Sequence, residues 1–156
     1  MALMTGLITA AYWTHRRCDV DRQRTSDVAG PQRTTTIGCV SEVVPVAPGP
    51  EDVKIITLAR AARARVAAAE GAAVRDDTGR TYAAAAVALP SLQLSALHLA
   101  VAMAASSGAK TLEAAALVSE GGTPDARDLA AVRELGSDVV VFHAAPDGTV
   151  LATLRL

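Results

Sequence analysis

Beyond Cys39 the chain contains no cysteine, its only two being Cys18 and Cys39. Everything downstream therefore lacks disulfides and thiolate metal ligands, and the two thiols, alone in a segment without periodicity, are expected to stay reduced. Aromatic residues are nearly as scarce, with only Tyr82 and Phe142 after residue 50. Lysine occurs only at Lys54 and Lys110, and from Glu51 onward ten basic residues face twelve acidic ones. Nucleic-acid binding needs a concentrated positive surface and bases need rings to stack on, so a nucleic-acid partner is excluded. Arg60, Arg63 and Arg65 read as a solvated helix face. The one long apolar run, residues 1–13, is shorter than a bilayer crossing, and its positive charges (Arg16, Arg17) follow it instead of preceding it. That order is opposite to an export signal, which argues against a membrane partner and for a cytoplasmic location.

What is present divides into two stretches. Residues 1–49 show scattered charges, a Thr34-Thr35-Thr36 run and a proline-rich stretch from Val44 to Pro50. They read as a disordered extension or linker, of the kind that a start codon assigned too far upstream would produce. Residues 50–156 carry the periodicity of a folded domain. A helix is expected over 51–70, with Ile55, Leu58, Ala59, Ala62, Val66 and Ala69 on one face. Strands over 71–75 and 80–89 flank Asp76-Asp77-Thr78-Gly79, whose glycine accepts the positive φ of a tight turn.

Pro90 breaks the second strand, Ser91 and Ser95 are both possible N-caps, and a helix over 92–107 ends at Gly108. This helix has almost no polar face, which predicts burial on all sides, between the sheet and a second helix or subunit. A strand over 112–119 follows. Thr123-Pro124 reads as an N-cap with proline at the first helical position, opening a helix to Leu135. Strands over 139–144 and 149–156 close the chain around a Pro146-Asp147-Gly148 turn. A hairpin followed by alternating helices and strands predicts an α/β fold, a three-layer α/β/α sandwich with a mixed five-stranded sheet.

These elements and several motifs resemble the homotetrameric type of cytidine deaminase over about a hundred residues. The resemblance rests on Gly71-Ala72-Ala73-Val74, Thr78-Gly79-Arg80-Thr81-Tyr82, Val87, Ser91 and Leu94 with the small-residue helix after it, then Thr123-Pro124, Glu134-Leu135, Asp138-Val139-Val140 and Asp147-Gly148. It implies zinc-dependent hydrolytic deamination of a nucleoside. In that family three protein ligands leave a fourth zinc position to water, whose pKa the metal lowers, and a glutamate carries protons. Here the position of the first ligand is Leu97 and that of the glutamate is Leu99. The two cysteines of the second metal motif correspond to Asp125 and Asp128, the ribose-holding Asn and Glu to Ala86 and Ala88, and a base-stacking Phe to about Ala68.

A His98, Asp125 and Asp128 set is the one conceivable metal rescue, because imidazole and carboxylate both ligate zinc or iron. One helical residue rotates the side chain by about 100°, so His98 points away from the direction of Leu97. Sliding the alignment by one residue places Ala100 at the glutamate position, and no glutamate lies between Ser91 and Leu112. His98 thus reads as a satisfied histidine in or beside the core. Asp125 and Asp128 read as carboxylates favoured by a helix N-terminus.

The expectations are no catalytic, metal or substrate-binding residue of the family kind, no cofactor, and a catalytically inactive domain that self-associates as a homodimer or homotetramer or binds a protein partner. The alternative is a zinc-dependent cytidine or nucleoside deaminase, a hydrolase acting on a cyclic amidine, with a non-standard site. An unrelated enzyme in the same cleft finds no nucleophile and base pair in the sequence to support it.

Overall fold

The computed structural model describes residues 42–43 and 46–156. The expectation of a disordered tail therefore lies mostly outside the described residues. Helix α1 (Pro50–Arg65) starts where proline occupies the first turn and the Gly49 amide donates to the Asp52 carboxylate at 3.1 Å. It ends five residues earlier than expected, because Ala67 adopts a φ of 49° and turns the chain back toward the sheet. Glu70 consequently opens strand β2 instead of closing the helix.

With a two-residue β1 (Glu42–Val43) on one edge, the sheet takes in β2 (Glu70–Asp76), β3 (Thr81–Ala85), β6 (Leu112–Ser119), β7 (Val140–Ala144) and β8 (Val150–Arg155). Its order is β1-β8-β7-β6-β2-β3. Only β6 and β7 are parallel, so the sheet is mixed, as expected, its five main strands extended by the short β1. Helix α3 (Ala126–Glu134) makes the crossover between the parallel pair, and helix α2 (Ala96–Ser106) carries the chain from β3 over β2 to β6.

Strand alternation builds the three layers. Ala73, Ala114, Ala116, Val118 and Phe142 pack with Ile55, Ile56 and Ala59 of α1 on one face. On the other, Ala72, Val74, Ala115, Leu117 and Val141 pack with Leu97, Ala100, Val101 and Ala104 of α2 and Leu129 and Val132 of α3. Small side chains on the central strands let the helix backbones approach closely. At Gly71 an added Cβ would stand 2.2 Å from the Ala59 carbonyl oxygen. Gly71→Ala is therefore expected to destabilise the fold by about 3 kcal/mol or more through overpacking, measured by urea unfolding.

Two sequence expectations change between residues 80 and 107. The run 80–89 is broken after Ala85, and β4 (Val87–Leu89) pairs with β5 (Leu92–Leu94) in a separate hairpin turning at Pro90 and Ser91. Leu92 and Leu94 alternate with Gln93 and match Leu89 and Val87 across the hairpin, so a two-residue period wins over the helical one. Helix α2 starts only after Ser95, and within the single chain one side of it is left uncovered. Ala102, Met103, Ala105 and Ser106 face outward.

The β2–β3 turn is organised by Asp76, which is only 1% exposed. Its Oδ1 accepts from the Thr78 amide, the Thr78 hydroxyl and the Arg80 amide, its Oδ2 from the Tyr82 hydroxyl, and Gly79 takes a φ of 82°. Burial alone would raise the Asp76 pKa, but these bonds outweigh it and hold the carboxyl below the usual carboxylate range. The folded chain thus binds this proton less readily than the unfolded chain. The stabilisation is complete above the ordinary aspartate pKa and is lost as pH falls toward the lowered folded value. Asp76→Asn is expected to lower the thermal midpoint at neutral pH and to flatten its decline in acid, as read by melts across that range.

Candidate functional site

The N-termini of α2 and α3 meet on one face of the sheet, and the side chains between them form a hydrogen-bonded cluster. Ser95 caps α2, with its Oγ accepting from the His98 amide at 3.1 Å and donating to Asp128 Oδ1 at 2.7 Å. Asp128 is 4% exposed. The same oxygen lies 3.2 Å from His98 Nδ1, while His98 Nε2 lies 3.2 Å from the Arg127 carbonyl oxygen. Both ring nitrogens of His98 therefore face oxygen partners. Two helix N-termini suit a buried carboxylate because their unpaired amides and aligned peptide dipoles present partial positive charge.

The start of α3 differs from the expected Thr123-Pro124 cap. Asp125 is the N-cap, accepting from the Arg127 amide at 2.7 Å, and the helix begins at Ala126. A carboxylate is the stronger acceptor, and the preceding Gly121 and Gly122, with φ of 147° and 88°, swing the chain into position for it. Of the rescue set, His98 and Asp128 come into contact, whereas the Asp125 carboxylate is used on its own helix. Leu97 is wholly buried in the α2 core layer, and Leu99 packs partly against it. Ala86 packs against the same layer and Ala88 is exposed on the β4–β5 hairpin.

Glu70 is a site residue that sequence reasoning missed. As the first residue of β2 it reaches the N-terminus of α2, where the Ala96 backbone hydrogen-bonds its carboxylate. Its pKa is raised by burial first, then by the negative charges of Asp128 and Asp125, against the lowering effect of Ala96. Its apparent place at the end of a helix hid it. Beside it opens a cleft of 620 Å³ bounded by Arg63, Ala68, Ser119, Glu120 and Gly121, with Arg63 Nη2 paired to Glu120 Oε1 at 2.7 Å.

The zinc implied by the family pattern does not fit this donor set. One ligand position is a core leucine, and the two aspartates serve a helix cap and a hydrogen-bond bridge. Among the described residues no group of three or more His, Cys, Asp and Glu side chains is placed to share a metal ion.

One further pair was not legible in the sequence. Ser119 Oγ lies 2.9 Å from His143 Nε2, both buried, at the adjoining ends of parallel strands β6 and β7. A serine hydroxyl and a histidine ring nitrogen are therefore in hydrogen-bond contact here. Strand pairing alone joins these residues, although a histidine within the apolar run 139–144 was a usable signal.

A mixed sheet layered between α1 and the α2/α3 pair, with two helix N-termini converging over its end, defines a deaminase-type α/β/α sandwich. A family model described as "Cytidine deaminase-like" matches residues 48–148, and the chain belongs to that family. Among solved structures it is similar to the crystal structure of cytidine deaminase from Mycobacterium leprae, at 21% identity, with 64% of this chain and 90% of that chain covered and a TM-score of 0.49. No curated protein matches the chain. Among the described residues no helix is long and apolar enough to cross a membrane.

Removing Asp128 would take the acceptor from the Ser95 hydroxyl hydrogen and the oxygen partner from His98 Nδ1. Asp128→Ala is expected to cost about 2–3 kcal/mol, since hydrogen bonds to a charged group are lost. Asp125→Ala is expected to cost about 1 kcal/mol as a lost cap. Urea unfolding of the two variants side by side checks the ranking.

Proposed function

We propose that this chain is a cytidine deaminase-like protein inactive as a deaminase, which acts in the cytoplasm through association, as a homodimer or homotetramer or docked on a protein partner. The observation that carries this reading is the packed state of the α2 and α3 N-termini. Leu97 belongs to the core, and the Asp128 carboxylate is committed to Ser95 and His98. Hydrolytic deamination needs an activated water and a proton carrier at the same point. Neither a zinc ligand set nor the family glutamate stands there.

Association is supported by apolar surface near the same helix. Met103 on α2 is 39% exposed, and Leu89 and Leu92 on the β4–β5 hairpin are 53% and 46% exposed. Exposed apolar side chains of that size offer area that a second copy can bury. The alternative, a zinc-dependent nucleoside deaminase with a non-standard site, is favoured by one observation, the raised pKa of Glu70 at the N-terminus of α2. A carboxyl that keeps its proton longer suits a proton carrier.

Three measurements on the full chain decide between these readings. Elemental analysis is expected to find no stoichiometric zinc, cytidine turnover is expected to be undetectable, and light scattering at tens of micromolar is expected to give a dimer or tetramer. Restoring the family residues with Leu97→Cys, Leu99→Glu, Asp125→Cys and Asp128→Cys is expected to lower stability without creating activity. Zinc at one equivalent that is lost in His98→Ala, together with cytidine deamination, would establish the alternative. A monomer would refute the self-association.

A further inference from the structure

We propose that Ser119 and His143 form a nucleophile and general-base pair that accepts acyl groups from small uncharged esters entering the cleft beside Glu70. The geometry points to it in four ways. Ser119 Oγ and His143 Nε2 are 2.9 Å apart, the separation at which an imidazole takes a hydroxyl proton. The pair sits at the carboxyl ends of parallel strands, the edge of an α/β sheet where ligands bind. Ser119, although buried, is among the residues that line the 620 Å³ cleft, which serves in this proposal as the way in for substrate. Just after it, Gly121 and Gly122 turn the chain with φ of 147° and 88°, and the backbone amides of this turn are assigned in this proposal to the developing oxyanion.

The surroundings prepare the histidine for this role. It is 3% exposed and fixed by packing within β7, and burial lowers its pKa, which keeps the ring neutral at pH 7. His143 also lines a second cavity of 400 Å³, together with Leu129, Leu151 and Leu154. The tautomer required carries its proton on Nδ1 and leaves Nε2 free to accept. The charge of the cleft limits the substrate. Glu70 and Glu120 line it, and Arg63 is already paired to Glu120, so an anionic ester is repelled and an uncharged one is admitted.

The reaction balances without metal or cofactor. Ser119 Oγ bonds to the ester carbonyl carbon while its proton passes to His143 Nε2. Collapse breaks the bond to the alcohol oxygen, which leaves with that proton. Water then attacks the acyl-serine, giving its proton to Nε2, and the carboxylic acid departs as the serine recovers its proton. This activity is independent of deamination, since none of its residues belongs to the Asp128 cluster.

The test exposes the full chain to a fluorophosphonate probe, in which the serine oxygen bonds to phosphorus as fluoride leaves, and maps the adduct by mass spectrometry. One adduct on Ser119 is expected, absent from Ser119→Ala and from the urea-unfolded chain. His143→Gln is expected to label about a hundredfold more slowly, and the unaltered chain is expected to hydrolyse 4-nitrophenyl acetate faster than its unfolded form. Labelling of the unaltered chain decides even if a variant fails to fold. No adduct, an adduct at another residue, or equal labelling of folded and unfolded chain would overturn the proposal.

Discussion

The Asp128 carboxylate is the interaction on which the arrangement of α2 and α3 depends. A buried carboxylate is costly unless its lone pairs are satisfied, and here one oxygen receives the Ser95 hydroxyl and faces His98 Nδ1. The same serine caps α2, and Asp128 itself lies in the first turn of α3. One side chain thus ties the positive ends of two helices to each other. Because α2 crosses over β2 and α3 joins the parallel pair β6–β7, the tie also sets how the crossover helices lie on the sheet.

The chemistry open to the chain follows from that tie. In the family pattern a metal ion joins these two helix starts and keeps one position for water. Here hydrogen bonds join them, and the neighbouring first-ligand position is filled by the Leu97 side chain inside the core. Glu70 remains nearby as a carboxyl with a raised pKa, lining a cleft of 620 Å³. Ser119 lines the same cleft and is hydrogen-bonded to His143 at the strand ends.

The fold was legible in the sequence wherever one period was unopposed. The strand over Leu112–Ser119 and the turn at Gly79 fall where the pattern places them, because an apolar run and a positive φ have few other readings. The site was harder to read. Residues 92–94 satisfy both a helical and a strand period, and the outcome depends on cross-strand partners at Val87 and Leu89. Glu70 is misread because the stop of α1 is made by Ala67 in a left-handed conformation, which no local rule assigns to alanine. The Ser95–His98–Asp128 cluster and the Ser119–His143 pair are products of tertiary placement, with partners on different helices or strands.

The central claim is that hydrogen bonds and packing, with no metal, hold the α2 and α3 N-termini together. Thermal melts of the full chain with excess zinc and with excess chelator test it directly, since a ligand bound only by the folded state stabilises it by an amount that grows with the logarithm of its concentration over its dissociation constant. The account predicts midpoints that coincide under both conditions. A midpoint several degrees higher in zinc, abolished by Asp128→Ala, would contradict it.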